Sequence, residues 1–195
     1  MRIIAGSAKG RNISSVASST RPTSDRAREA LFSTLISEFG GLEDLNVLDL
    51  YAGTGAIALE SLSRGAAIVH AVEKDEQAQK SIAANYEAVK SAQCPGVFHL
   101  YGMSVHRFLQ DPPITKYHFV YIDPPYDAED LDVIETLIQL SEGGFLDAQA
   151  LIAIERNSRV KEISWPHGYV AVRKKNYGQA TIFYGIPAEI EPENG

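Results

Sequence analysis

Four consecutive residues, Asp123-Pro124-Pro125-Tyr126, hold the groups best suited to chemistry in this chain. Two prolines in a row fix φ and remove two N–H donors, so the turn presents acceptors: the Asp123 carboxylate and the Pro124 carbonyl. A pair of acceptors fits an exocyclic NH2. On a nucleobase such an amine has its lone pair drawn into the ring. Accepting both hydrogens favours a more tetrahedral nitrogen and stabilises the positive charge that develops as it attacks an electrophile. Tyr126 adds a ring on which an extracted base can stack. An isolated Asp-Pro-Pro would be an ordinary turn, so its meaning depends on what surrounds it.

A second stretch supplies that context. Val47 to Glu60, VLDLYAGTGAIALE, runs from a buried strand through a glycine loop into a helix. Tyr51 leads into Ala52, Gly53, Thr54 and Gly55, whose small side chains let backbone N–H groups approach a ligand at the positive end of the helix. Asp49 is a carboxylate inside the apolar strand, placed to meet a ligand or a backbone donor. Glu73 ends the next apolar strand 20 residues after Gly53, where an acidic side chain accepts from ribose hydroxyls. The third glycine of the dinucleotide fingerprint is missing and there is no P-loop, so an adenosine ligand without pyrophosphate fits, and S-adenosyl-L-methionine is the candidate. His70, His99, His106, His118 and His167 show no ligand spacing, and no metal is expected.

The elements that must position these groups alternate. Strands are predicted at Val47 to Leu50, Ile68 to Glu73, Val97 to Tyr101, Phe119 to Ile122 and Leu151 to Glu155. Helices are predicted from Ser24 to about Phe39, from Ala56 to Arg64, at Asp75 to Ser91, at Val105 to Leu109 and at Leu131 to Leu140. In the first helix Thr23 is the expected N-cap, Ala27, Ala30, Leu31 and Leu35 form the apolar stripe, and Arg26 and Arg28 lie off it. Such alternation predicts an α/β fold with a mainly parallel, doubly wound sheet, closed by an antiparallel pair at Tyr169 to Arg173 and Thr181 to Gly185. Residues 1–20 read as a basic hairpin arm, 21–187 as the main domain and 188–195 as an acidic tail.

Composition narrows the class. With 195 residues, 45% of them hydrophobic, the chain is expected to form one main domain, and its single cysteine, Cys94, excludes an intrachain disulfide. No apolar run reaches the length of a membrane helix, and a cytoplasmic monomer is expected. The first 28 residues carry six basic groups against Asp25, a net of +5, while the remainder carries 12 basic and 24 acidic groups, a net of −12. A basic segment on an acidic body points to nucleic acid, with Arg2, Lys9, Arg11, Arg21 and Arg26 as the residues that would meet phosphate.

DPPY, taken with DLYAGTGAIALESLSRGA, RIIAG near the start, RPTSDRAREALF and KKNYGQATIFYG, resembles the bacterial 16S ribosomal RNA guanine-N2-methyltransferase (RsmD-like) family. The five segments fall in the family's order and span nearly the whole chain. The resemblance implies a Rossmann-like class I S-adenosylmethionine-dependent methyltransferase fold. It implies S-adenosyl-L-methionine as methyl donor, and the N2 of guanine 966 in 16S rRNA or the small ribosomal subunit as acceptor. It carries cofactor contact to Asp49, Tyr51, Ala52, Gly53, Thr54, Gly55, Glu73 and Asp123, and catalysis to Asp123, Pro124, Pro125 and Tyr126. One departure is visible. Where such enzymes have an aspartate for the adenine amino group, this chain reads Gly102-Met103-Ser104, so that contact passes to a backbone group or to Ser104. The rival readings are a DNA adenine-N6 methyltransferase and a non-catalytic RNA-binding assembly factor. The first would need a base-reading domain for which the chain has no extra segment, and retention of Asp123 with the glycine loop argues against the second.

Overall fold

A computed structural model of the chain describes residues 1–14, 25–125 and 128–188. In chain order the elements are α1 (Asp25–Phe39), β1 (Asn46–Leu50), α2 (Ala56–Ser63), β2 (Ile68–Val72), α3 (Glu76–Lys90), β3 (Val97–Tyr101), α4 (Val105–Phe108), β4 (Tyr117–Ile122), α5 (Asp130–Glu142), β5 (Leu146–Asn157), β6 (Tyr169–Tyr177) and β7 (Ala180–Pro187). They build a seven-stranded sheet in the order β3-β2-β1-β4-β5-β7-β6. The first five strands in that order pair in parallel, and β7 runs antiparallel to both β5 and β6. No described helix is long and apolar enough to cross a membrane.

The two-residue period of each strand divides the core. Val47, Phe119, Tyr121, Leu151 and Ala153 face a cluster shared with α1, α2 and α3. Leu48, Leu50, Val120, Ile122, Ile152 and Ile154 face the opposite cluster, shared with α4 and α5. Local signals start the helices. Asp75 caps α3 by accepting from Ala78 N–H at 2.8 Å, and Glu129 and Asp132 form a reciprocal capping box at α5.

Leu50 is in register with Val72 on one side and with Ile122 on the other. The residues that follow, Tyr51, Glu73 and Asp123, therefore leave the carboxyl edge of the sheet side by side. Chain connections reverse direction between β1 and β4, which makes this edge the crevice where an open α/β sheet takes its ligand.

Three details differ from the sequence-based expectation. Arg28 is fully buried, not off the apolar stripe. It precedes Leu31 by three residues and Leu35 by seven, so helical geometry puts it on the same face. Its Nη2 donates to the Arg2 carbonyl at 2.5 Å and to Asp25 at 3.0 Å. Strand β5 also starts earlier than its apolar core, because Leu146 pairs with Tyr117 before a register irregularity. Strands β6 and β7 extend past their apolar centres because each residue from Arg173 to Tyr177 has a partner across the pair. Thr23 and the acidic tail beyond Ala188 lie outside the described residues.

The N-terminal hairpin is docked on the body. Ile3, Ala8 and Ile13 are buried in the core shared with α2. Glu60, itself fully buried on α2, accepts from Ile4 N–H at 2.7 Å and Ala5 N–H at 3.0 Å. Gly6 permits the closest approach: a Cβ there would lie 1.8 Å from the Ser63 carbonyl oxygen, and its φ is +81°.

Candidate active site

The loop after β1 is shaped by its backbone. Tyr51, Gly53 and Gly55 all have positive φ, at 62°, 55° and 73°. For Tyr51 this is a strained conformation. Ala52 N–H donates to the Val72 carbonyl at 3.0 Å, and Gly55 N–H folds back to the Ala52 carbonyl at 2.7 Å. A Cβ on Gly53 would meet no atom nearer than the Tyr51 carbonyl at 4.0 Å, so the outer side of the loop is open. A Cβ on Gly55 would press on Ile82 at 3.3 Å, which makes Gly55 the packing glycine. Asn85 of α3 steadies the loop by donating to the Thr54 carbonyl at 3.0 Å.

Two carboxylates hold this loop from behind. Asp49 is buried and accepts from Ala58 N–H in the first turn of α2 at 3.0 Å. Burial, helped by the nearby charge of Glu73, pushes its carboxyl up to about 7, while the bond from Ala58 works the other way. Glu73 accepts from Gly53 N–H at 2.8 Å through one oxygen and from Asp75 N–H at 2.9 Å through the other. A carboxylate has about four acceptor sites, so Glu73 keeps lone pairs for hydroxyl donors.

Tyr51 turns its ring to the second core cluster, and its hydroxyl meets Thr136 of α5. Ser104 is the N-cap of α4, accepting from Arg107 N–H at 3.2 Å. Met103 packs on the core beneath it.

The Asp123 segment stands on the other side of the switch point. Asp123 N–H reaches the Leu50 carbonyl at 3.4 Å, Pro124 is buried, and the Pro125 carbonyl accepts from Ala128 N–H at 3.0 Å. Tyr126 and Asp127 lie outside the described residues. The Asp123 carboxyl is held well above its ordinary range, first by burial, then by the charges of Glu155 and Asp49, with Arg156 opposing them. Arg156, only 9% exposed, donates to the Ala128 carbonyl at 3.0 Å and to Asp130 at 3.1 Å. Beside it, the Tyr121 hydroxyl donates to Glu155.

Thus the loop residues Asp49 to Gly55, Glu73 and Asp123 share one edge. Exposed Arg2, Lys9, Arg11 and Arg26 lie on the N-terminal hairpin and α1, and Arg21 is outside the described residues. Lys9 sits in the hairpin turn beside Ser63, at the end of α2 opposite the glycine loop. Sequence reasoning passed over Glu155 as a site residue. The signal was present, since IAIER ends an apolar strand in charged residues just as YID does. Among the remaining candidates, His70 is buried and its Nδ1 lies 2.6 Å from the Tyr117 hydroxyl, away from this edge. Among the described residues no group of three or more His, Cys, Asp or Glu side chains has the arrangement of a metal site.

Comparison with known proteins agrees with this architecture. The family described as Conserved hypothetical protein 95 matches residues 1–186. YlbH of Bacillus subtilis is 34% identical over 91% of this chain and 94% of its own length. Ribosomal RNA small subunit methyltransferase D of Escherichia coli K12 is 32% identical over 92% of this chain and 86% of its own length. The solved structure of yhhF from Escherichia coli superposes with a TM-score of 0.82 at 29% identity, covering 96% of this chain and 97% of that one. Magnesium protoporphyrin IX methyltransferase from Synechocystis, solved with bound S-adenosylmethionine, shares the fold at a TM-score of 0.64 and 12% identity, over 84% of this chain and 79% of that one. With its glycine loop and Asp-Pro-Pro turn on one edge of a class I methyltransferase sheet, the chain belongs to the Conserved hypothetical protein 95 family, that of ribosomal RNA small subunit methyltransferase D.

Proposed function

We propose that the chain is an S-adenosylmethionine-dependent rRNA methyltransferase acting on the N2 amine of a guanine in 16S rRNA. The observation that carries the reading is the convergence of an open, left-handed glycine loop and the Asp123-Pro124 acceptor pair on one sheet edge. The loop fits S-adenosylmethionine: the outer side of the loop is open at Gly53, and Glu73 has free lone pairs for ribose hydroxyls. When bound, that group supplies a methyl on a cationic sulfur. Glu73 repels Asp49 and Asp49 repels Asp123, and a cation beside them relieves this repulsion.

Asp123 and the Pro124 carbonyl accept the two hydrogens of the guanine amine and orient its lone pair outward. Positive charge on that nitrogen is then met by a carboxylate whose burial strengthens the interaction. Asp123 can also take the surplus proton after transfer, and its raised affinity for protons suits that task. The target base is splayed from a single-stranded RNA segment and stacked on Tyr126, with Arg2, Lys9, Arg11, Arg21 and Arg26 on the RNA backbone. Guanine 966 is the target that the family resemblance implies.

The test is methyl transfer from labelled S-adenosylmethionine to small subunits and naked 16S rRNA from cells lacking the protein, with the modified base mapped. N2-methylguanine at one site is expected. Transfer to adenine N6 of duplex DNA would replace the reading with the DNA enzyme, and tight RNA binding without transfer would replace it with an assembly factor.

A further inference from the structure

A second polar feature lies on the same edge, two strands from Asp123. A cavity of about 320 Å³ is lined by Ser158, Val160, Lys161, Lys174, Asn176 and Thr181, among others. Register explains its position. Glu155 and Arg156 follow the Ile122–Ile154 pair, Arg156 pairs with Thr181, and Thr181 pairs with Asn176. Two steps between strands separate Asp123 from Thr181, about 10 Å across the sheet.

The chemistry of the cavity is cationic in an acidic protein, whose formal net charge is −7. Lys174 donates one N–H to the Lys161 carbonyl at 3.0 Å, which leaves two ammonium hydrogens for a ligand. No described acidic side chain forms an ion pair with Lys161 or Lys174. Their neighbours on the strand differ. Arg173 pairs with Glu38, and Lys175 donates to Thr34 at 3.0 Å, both on the α1 face of the sheet. Alternation along β6 thus commits two of three consecutive basic side chains to packing and points the middle one into the cavity. Arg156 is likewise committed, to Ala128 and Asp130. Asn176 is held by a hydrogen bond from the Thr181 hydroxyl to its Oδ1 at 2.7 Å, so its amide N–H groups are turned to other partners.

We infer that this cavity is an RNA-backbone subsite, in which Lys161, Lys174 and the Asn176 amide hold phosphate of nucleotides flanking the base presented to Asp123. The inference rests on the proposed function for the identity of the polyanion. Arg156 lies between the two places. The segment from Asp123 to α5 ends under the Arg156 clamp, and Arg156 is the direct neighbour of Thr181 across the β5–β7 pair. RNA lying along this edge meets acceptors for one base amine at β4 and cations for its backbone at β6, with no acidic residue among the cavity's lining side chains. The cavity's size is that of a cleft for a small polar group, such as a single phosphate with part of its sugar.

The experiment measures binding of a 16S rRNA transcript against salt concentration, for the wild-type chain and for Lys161→Gln combined with Lys174→Gln. Loss of two phosphate contacts to single-stranded RNA should reduce the slope of log K against log salt by about 1.4, since each contributes about 0.7. KM for RNA should rise with kcat, melting temperature and S-adenosylmethionine affinity unchanged. The pair Lys161→Arg with Lys174→Arg should restore the slope. An unchanged slope in the glutamine variant, or failure of the wild type to bind RNA at all, overturns the subsite. The slope is read without catalysis, so a wild type that binds RNA with the expected slope yet transfers no methyl group would sink the proposed function and leave the subsite standing.

Discussion

Glu73 fastens the glycine loop to the end of β2, because its Oε2 accepts from Gly53 N–H at 2.8 Å while its Oε1 accepts from Asp75 N–H at 2.9 Å. One carboxylate therefore shapes the proposed cofactor cradle before any ligand arrives. A glutamine offers a single carbonyl oxygen and cannot accept as both carboxylate oxygens do. Glu73→Gln should weaken S-adenosylmethionine binding roughly tenfold, the worth of one charge-assisted hydrogen bond. Titration calorimetry reads this directly. Wild-type affinity in the glutamine variant would mean that the loop is held without Glu73.

Asp123→Ala removes the carboxylate assigned to the acceptor amine and leaves the loop and Glu73 in place. Transfer should fall by at least about 100- to 1,000-fold, the range for loss of a preorganised group that stabilises charge in a transition state. Cofactor affinity should change little. Single-turnover transfer measured beside calorimetry separates the two effects, and an active alanine variant would take Asp123 out of catalysis.

The buried Asp49 carboxyl imposes a pH dependence on stability. Its ordinary value of 3.8 is raised in the fold to about 7, so between these values the folded chain holds a proton that the unfolded chain has released. Stability from this group is consequently lost as pH rises through that window, by a few kcal/mol at most. Asp49→Asn retains an acceptor oxygen for Ala58 N–H and removes the titration. Denaturant unfolding at pH 5 and pH 8 should show a smaller loss in the asparagine variant than in the wild type. Equal losses would place the titration elsewhere.

Arg156 fixes where the Asp123 segment ends, through paired contacts to the Ala128 carbonyl and Asp130. Both bonds leave one nitrogen, Nη2, at the tip of a rigid planar group, whereas the lysine ammonium carries the same charge on a shorter, flexible stem. Arg156→Lys should lower kcat for methyl transfer roughly tenfold or more, as expected when a positioning group lets reacting atoms drift, with S-adenosylmethionine affinity preserved. A variant with reduced cofactor affinity and unaltered kcat would assign Arg156 to the cradle instead.

Much of the sheet was legible because its evidence is local. Each central strand is a short apolar run, and Asp49, Glu73 and Asp123 interrupt or end such runs, which marks them before any pairing is known. Arg28 was misread through its charge: the helical period puts it beside Leu31 and Leu35, and what makes its burial tolerable is the Arg2 carbonyl, a partner 26 residues away. The early start of β5 was invisible for a related reason, since Leu146 becomes strand only through Tyr117. The cationic cavity also depends on long-range pairing, because Lys161 and Lys174 meet only after β6 and β7 fold back on β5.

Strand β7 sits between β5 and β6 although it follows both in the chain. Order of translation and order in space are thus inverted at this end of the sheet. As the polypeptide leaves the ribosome, β6 emerges with no neighbour to pair with, and β5 waits as an open edge bearing Glu155 and Arg156. A chain cut before Ala180 would forfeit two strands, not one, and would display unpaired backbone along β5, the kind of edge that recruits other chains. The edge carrying the proposed chemistry is therefore buttressed only once β7 has slotted in between β5 and β6.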